Sequence, residues 1–102
     1  MNETLRELLL KYNHAIADEG IIGRNHKGVI ETPDTPMEMR LEHTRWMILQ
    51  LLETADYFSP AKFNRWLGFI QGVLWMNGNR TLQQLRDEMH LVALSEEDDD
   101  TP

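Results

Sequence analysis

Signals for the start of a helix recur along the chain, and each precedes apolar residues at helical spacing. In four places a hydroxyl residue stands where its side chain can cap the free backbone N–H groups of a first turn. These places are Thr4 with Glu7, Thr35 with Pro36 and Glu38, Ser59 with Pro60, and Thr81 with Gln84. Gly20 and the Asn-Gly-Asn sequence at 77–79 are typical of helix ends, because glycine adopts the left-handed conformation without strain. The pattern predicts four helices, which end near Gly20, Tyr57, Asn77 and Leu94.

The apolar residues of each segment fall on one helical face. These faces are Leu5, Leu8, Leu9, Tyr12 and Ile16; Met37, Leu41, Ile48, Leu52, Ala55 and Phe58; Phe63, Trp66, Leu67, Ile70, Val73 and Leu74; and Leu82, Leu85, Met89 and Val92. Only one or two residues join the second and third helices, so we expect these to form an antiparallel hairpin. The predicted fold class is all-α: a small helical bundle built on this antiparallel helical hairpin, with flanking N- and C-terminal helices.

Acidic charge is concentrated near one end of the chain. The formal net charge is −7, and residues 96–100 are five consecutive acids. The remaining residues include ten basic and twelve acidic side chains. Because this main part is nearly neutral, direct binding to nucleic acid is not expected. We predict a single helical domain over residues 1–94 and a disordered acidic tail over residues 95–102.

The sequence lacks the residue groups on which most enzyme and metal sites are built. It has no cysteine, no HExxH pair and no G-x-S-x-G serine. Glu53 and Asp56 match half of the paired-carboxylate pattern of all-α pyrophosphohydrolases. The other half, Glu-x-x-Glu, is missing, because Glu38 and Glu42 are four residues apart. We therefore predict a protein that is not an enzyme and that uses neither a metal nor another cofactor.

A glycine-rich segment between the first two helices is the most suggestive polar segment. Residues 20–28 include three glycines together with Arg24, His26 and Lys27. Such a segment is suited to hold a phosphate, an anionic small molecule or a nucleotide, with help from Arg65 of the third helix. It matches neither the Walker pattern nor G-x-G-x-x-G, so an ordinary surface loop is the simpler interpretation. A short strand pair at 21–22 and 29–30 is a further alternative.

The second and third helices carry more aromatic residues than the core of one small bundle can enclose. Trp46 lies off the apolar face of its helix, and Phe69 and Trp75 lie off the face of theirs. We predict that these three residues form a protein interface, most simply between copies of this chain in a homo-oligomer. Gly68 and Gly72 lie on one side of the third helix and predict the close approach of a backbone or a bulky side chain.

No segment resembles a membrane or export signal. The first ten residues include Glu3, Arg6 and Glu7 among the leucines, unlike a secretory signal. The apolar runs are much shorter than the roughly 20 residues needed to span a bilayer. We expect a cytoplasmic protein without membrane contact.

Residues 65–75 read RWLGFIQGVLW and residues 81–87 read TLQQLRD. This combination resembles the C-terminal signature of small early or accessory proteins encoded by tailed bacteriophages, a group mostly of unknown function. The resemblance implies a phage origin and a location in the host cytoplasm. In its general layout the chain is also loosely similar to phage proteins that sequester cyclic-nucleotide immune signals, small helical hairpins that oligomerise.

Three functions follow as hypotheses. The first is a non-enzymatic accessory protein that binds and modulates a host or phage protein, in host takeover or anti-defence. The second is a protein that binds or sequesters an anionic nucleotide signal through Arg24, His26, Lys27 and Arg65. The third is an acidic decoy of a DNA-binding protein, which rests on residues 96–100 alone.

Overall fold

Helices make up most of the described part of the chain. The computed structural model describes residues 1–27 and 32–99, the last three by backbone alone. Its elements are α1 (Glu3–Ala17), α2 (Met37–Thr54), a 3-10 turn (Ala55–Tyr57), α3 (Pro60–Met76) and α4 (Leu82–Asp99). No strand occurs within those two ranges. The prediction of an all-α fold is confirmed, while residues 29–30 of the alternative strand pair lie outside the described residues.

Two of the predicted helix starts are confirmed by their hydrogen bonds. Ser59 Oγ accepts from the Lys62 N–H at 3.1 Å and caps α3. At α4, Thr81 Oγ1 accepts from the Gln84 N–H at 3.1 Å, and Gln84 Oε1 accepts from the Thr81 N–H at 2.8 Å. Gly78 has φ +78° directly after α3, which is the left-handed conformation predicted for this turn.

The other two predicted caps are wrong, because neighbouring residues occupy the N-cap positions of α1 and α2. Asn2 Oδ1 accepts from the Leu5 N–H at 2.8 Å, so α1 starts at Glu3 and Thr4 lies inside it. Before α2, the hydroxyl of Thr35 accepts instead from the Thr32 N–H at 2.9 Å, within the preceding turn. Pro36 then occupies the cap position without a side-chain hydrogen bond, and α2 starts one residue later than predicted.

Helix α4 continues into the segment predicted to be a disordered tail. It runs to Asp99, past the helix end predicted near Leu94. The boundary between the helical domain and a disordered acidic tail stays a prediction. No glycine or proline interrupts residues 82–99. The hydroxyl of Ser95 makes two hydrogen bonds. Ser95 Oγ donates to the Val92 carbonyl at 2.8 Å and accepts from Asn2 Nδ2 at 3.2 Å. Residues 100–102 lie outside the described residues.

The core lies between α1 and the two helices that follow it. Helix α1 contacts α2 and α4, and α2 contacts α3. The fully buried apolar side chains are Leu9, Tyr12, Ile16, Ile48, Leu51, Ile70 and Leu74. Two residues assigned to the apolar faces are exposed instead: Met37 at the start of α2 and Leu82 at the start of α4. Met37 belongs to the first turn of α2 and Leu82 to the first turn of α4.

The close approach predicted at Gly68 and Gly72 does not occur within the described part of one copy of the chain. A Cβ atom added at either glycine would meet no atom within 4 Å. Both residues are exposed on α3. They leave a bare stretch of helix backbone facing outwards.

Candidate ligand-binding pocket

A pocket of about 710 Å³ lies where the 20–27 segment, α2 and α3 meet. We call it the aromatic pocket. Its lining consists of His26, Lys27, Thr35, Met39, His43, Trp46, Met47, Gln50, Phe58, Lys62, Trp66 and Phe69. The volume falls within the range of about 300–1,000 Å³ typical of small-molecule sites.

Three aromatic side chains form one continuous wall of the aromatic pocket. The ring centroids of Trp46 and Trp66 are 6.0 Å apart, and Phe58 meets Trp66 edge to face at 4.9 Å. All three side chains are half-buried. Edge-to-face and tilted pairs of this kind stabilise by about 0.5–1.5 kcal/mol beyond simple burial. Phe58 directly precedes the Ser59 cap of α3, and Trp66 lies about two turns further along this helix.

A chain of hydrogen bonds involving two histidines and one acid borders the wall. The His26 backbone N–H donates to His43 Nδ1 at 3.0 Å, so a neutral His43 ring carries its proton on Nε2. The His43 ring lies 5.3 Å from the ring of Trp46. His26 Nε2 donates to Glu42 Oε1 at 3.0 Å, and Glu42 is only 9% exposed. Because a buried carboxylate needs a partner, His26 stabilises Glu42 in this position.

The segment that carries His26 is fixed to α2 by backbone contacts. A Cβ atom added at Gly23 would lie 2.9 Å from Leu49 Cδ1, so glycine lets the segment lie directly on the helix. The Arg24 N–H donates to the Glu42 carbonyl at 3.1 Å. Arg45 Nη1 donates to the Ile21 carbonyl at 2.6 Å and holds the segment from the other side. The segment is therefore preorganised against α2.

Two lysines provide the positive charge of the aromatic pocket. Lys62 Nζ lies 4.6 Å from the centroid of the Phe58 ring and 5.5 Å from that of Trp66, within cation–π range. Lys27 lines the pocket from the 20–27 segment. No carboxylate lines the aromatic pocket within residues 1–27 and 32–96. A ligand in this pocket therefore meets cations and rings.

The structure brings together only part of the set proposed from the sequence for an anionic ligand. His26 and Lys27 line the aromatic pocket. Arg24 and Arg65 are exposed and are not lining residues. Lys62 is not among the residues predicted from the sequence, and it reaches the aromatic pocket from the first turn of α3.

The three residues predicted to form a protein interface have different surroundings. Trp46 is half-buried in the aromatic wall, whereas Phe69 is 54% and Trp75 47% exposed on α3. A second, apolar groove of about 440 Å³ runs along this part of α3. It is lined by Met37, Arg40, Gly68, Phe69, Gly72, Val73, Trp75 and Met76. Phe69 belongs to both the groove and the aromatic pocket.

A buried tyrosine links three helices away from the aromatic pocket. Tyr12 Oη donates to Glu88 Oε1 at 3.0 Å and accepts from Gln71 Nε2 at 3.4 Å. Arg80 Nε donates to the other oxygen of Glu88 at 3.1 Å. Burial raises the pKa of Tyr12 well above its ordinary value, and the charge of Glu88 adds to the effect. This network holds α4 against α1 and α3.

Metal-binding clusters and membrane-spanning helices are both absent from the described part of the chain. Within it, no group of three histidine, cysteine, aspartate or glutamate side chains is placed to hold a metal ion. None of the described helices has the length and apolar character needed to cross a membrane. The side chains of 97–102 lie outside the described residues, and with them most of the predicted acidic decoy.

Comparisons with protein-family models, with curated proteins and with solved structures find no match to this chain. The resemblance of residues 65–75 and 81–87 to phage accessory proteins therefore stays a prediction from the sequence.

Proposed function

We propose that this protein binds a planar anionic ligand of the nucleotide class in the aromatic pocket, without transforming it. The observation that carries the proposal is the aromatic wall of Trp46, Trp66 and Phe58 with lysine charges beside it. Bases stack on aromatic side chains with a contribution of about 1–3 kcal/mol each. Phosphate groups pair with ammonium groups such as those of Lys27 and Lys62.

The lining favours a ligand that has both a flat ring and a negative charge. A purely apolar ligand would bury the lysines without a partner, and a small inorganic anion would leave the aromatic wall unused. Gln50 and Thr35 add neutral hydrogen-bonding groups to the lining, which suit the polar edge of a base. The pairing of His26 with Glu42 gives this histidine a positioning role at the side of the pocket.

Titration calorimetry with a nucleotide panel tests the proposal. The panel contains linear and cyclic nucleotides, their uncharged nucleosides, and inorganic phosphate. We expect a nucleotide to bind at least about tenfold more tightly than its nucleoside, because a charge-assisted hydrogen bond contributes about 1.5–3 kcal/mol. Lys27→Ala and Lys62→Ala should each weaken binding about tenfold, for the same reason.

Lys11→Ala is the matched control, since Lys11 is an exposed lysine on α1 outside the lining. Affinity that is equal for nucleotide and nucleoside, or that is unchanged in both pocket variants, contradicts the proposal. Absence of binding across the whole panel contradicts it as well.

A second candidate function is the binding and modulation of a host or phage protein in the cytoplasm, as the sequence resemblance implies. The observation that favours it is the exposure of Phe69, Trp75 and Met76 along α3. Capture of one discrete protein from phage-infected cells, lost with Trp75→Ser and retained with Lys27→Ala, is the expected result. The captured protein must then bind the purified chain in the same way. A protein captured equally by Trp75→Ser contradicts this use of α3.

The antiparallel hairpin of α2 and α3 is also part of our proposal. It is supported by the pairing of residues along the two helices. Trp46, in the middle of α2, contacts Trp66, in the first half of α3. Met37, at the start of α2, shares a groove with Met76, at the end of α3.

A further inference from the structure

The outward side of α3 has an unusual profile for the surface of a helix. With about 100° of rotation per residue, an arc of about 120° holds Arg65, Gly68, Phe69, Gly72, Trp75 and Met76. We call this arc the outer face of α3. It lies opposite the buried Leu67, Ile70 and Leu74.

Small and large residues are combined on the outer face in a way that makes it self-complementary. The glycines leave the backbone bare, with nothing within 4 Å of an added Cβ atom. Trp75 is 47% exposed and Met76 69%. The same surface thus combines a stretch where two helix backbones can meet with large side chains that can pack on either side of that stretch. Self-complementarity of one surface is the requirement for an interface with two-fold symmetry.

We infer that the outer face of α3 binds the same face of a second copy of this chain, with the two helices antiparallel and crossing near Ile70. The inference does not depend on the ligand proposed for the aromatic pocket. It assigns the exposed aromatic residues of α3 to self-association and identifies the partner as a second copy.

An antiparallel crossing at Ile70 pairs residues that are equally far before and after this position. Gly68 then faces Gly72 of the second copy, so the two bare stretches of backbone meet and the helices approach closely. Arg65 faces the second copy's Trp75, which places a guanidinium group next to an indole ring. Both pairs occur twice, as two-fold symmetry requires.

The charges along α3 favour the antiparallel over the parallel arrangement. Lys62 and Arg65 are the only charged residues of α3, and both lie in its first two turns. A parallel pair would bring Arg65 close to Arg65 of the second copy. The antiparallel pair instead moves these cations towards the C-terminal half of the other helix, where the helix dipole is negative.

The expected dimer is a weak one. Helix α3 has 17 residues, so its outer face is about 25 Å long and about 10 Å wide. Even with Met37 and Arg40 at its edge, this strip is smaller than the about 800 Å² per partner of a standard interface. We therefore expect dissociation in the micromolar range. Because Phe69 lines both the groove and the aromatic pocket, the second copy would lie at the rim of that pocket.

Sedimentation equilibrium over the micromolar range tests the inference. The wild-type mass should rise from 12.0 kDa towards twice this value, without larger species. Gly72→Leu should remain at the mass of a single chain, because its side chain keeps the two helix backbones apart. Its helical circular dichroism should match the wild type and its thermal stability should be equal or higher, since leucine favours the helix and the site has open space within one chain.

Ala93→Leu is the matched control, because Ala93 is an exposed small residue on α4. It should dimerise like the wild type. A wild-type chain that stays monomeric overturns the inference and leaves the outer face to a different protein. A trimer or larger assembly overturns it too, as does a Gly72→Leu chain that still dimerises.

The register has a test of its own, because the chain contains no cysteine. A mixture of Gly68→Cys and Gly72→Cys chains should form a disulfide between the two variants on mild oxidation. Each variant alone should cross-link several-fold less, because the predicted register pairs residue 68 with residue 72. If each variant alone cross-links as much as the mixture does, the antiparallel register is overturned.

Discussion

Helix α3 has two aromatic regions, and their surroundings differ. On one side Trp66 contacts Trp46 and Phe58, and a lysine lies over the rings. On the other side Phe69 and Trp75 lie beside glycines on an exposed face. The first region has charged and hydrogen-bonding groups around its rings, which suit a small polar ligand. The second has few polar groups, so it suits another apolar surface.

Helix α3 thus has two faces that differ in composition, and our two proposals assign a different kind of recognition to each. Four-residue spacing puts Gly68 and Gly72 on the outer face, and it puts Trp66 and Ile70 on neighbouring parts of the inner side. Each substitution below affects one of the two regions, or the core between them.

The largest expected difference in the free energy of unfolding comes from replacing each of the two tryptophans of α3 by alanine. Trp66→Ala should lower the free energy of unfolding by about 3 kcal/mol, because it removes the centre of the aromatic wall. Trp75→Ala should change it by less than about 0.5 kcal/mol at protein concentrations where the chain is monomeric. Urea unfolding followed by circular dichroism measures both. Equal losses would show that the two regions contribute alike to the fold.

The next effect concerns the acid beside the aromatic pocket. His26→Ala leaves the buried carboxylate of Glu42 without its imidazole partner, and should destabilise by about 1.5–3 kcal/mol. Arg24→Ala serves as the control, because Arg24 is exposed and the substitution keeps its backbone hydrogen bond to the Glu42 carbonyl. If Glu42→Gln restores the stability of His26→Ala, the loss is due to the unpaired charge. A His26→Ala chain of wild-type stability would argue against this role.

The tyrosine that links α4 to the bundle predicts an alkaline instability. Burial raises the pKa of Tyr12, so the folded state holds this proton more tightly than the unfolded state. The stabilisation is complete below the ordinary tyrosine pKa of about 10 and falls as the pH rises above it.

Tyr12→Phe should cost about 1 kcal/mol near neutral pH, through the lost hydrogen bond to Glu88. It should also flatten the decline in stability above pH 10. Tyr57→Phe, at a residue that is 90% exposed, should retain the decline of the wild type. Thermal unfolding at a series of alkaline pH values measures all three chains. If Tyr12→Phe loses stability above pH 10 as steeply as the wild type, other groups cause the alkaline decline.

The smallest effect separates folding from association on the outer face. Gly72→Ala should stabilise the isolated chain by about 1 kcal/mol, because alanine favours the helix and its Cβ atom has open space. The same methyl group should weaken self-association, because it separates the two backbones. Unfolding at low concentration and sedimentation measure the two effects. Destabilisation of the monomer would show that this glycine is needed within one chain.

The number and order of the helices follow from local signals in the sequence. The caps at Ser59 and Thr81 were predicted because a hydroxyl and its acceptor lie within one turn, and such contacts need no other part of the molecule. Thr35 was misassigned because two turns compete for the same hydroxyl, and the bond to Thr32 is the one formed. Which of two local contacts prevails depends on the whole fold.

The aromatic pocket was predicted only in part, because it depends on tertiary contacts. His26 and Lys27 stood out in a glycine-rich segment. Lys62 and His43 join them only after α2 and α3 meet, and no spacing along the chain brings these residues together. The surplus of aromatic residues predicts a protein interface, and two of its three residues, Phe69 and Trp75, are exposed. Trp46 has instead a partner in Trp66.

The contact between Asn2 and Ser95 brings the first turn of α1 beside the last turns of α4. A peptide bridge of a few residues between Asp99 and Met1 could therefore close the backbone into a ring, since each residue spans up to about 3.5 Å. Reopening such a ring at the 77–79 turn would place α4 ahead of α1 in a permuted chain. The permuted chain would keep the aromatic pocket and the outer face of α3. Helix α4 would then be linked to α1 by the peptide bridge and no longer to α3 by the 77–79 turn.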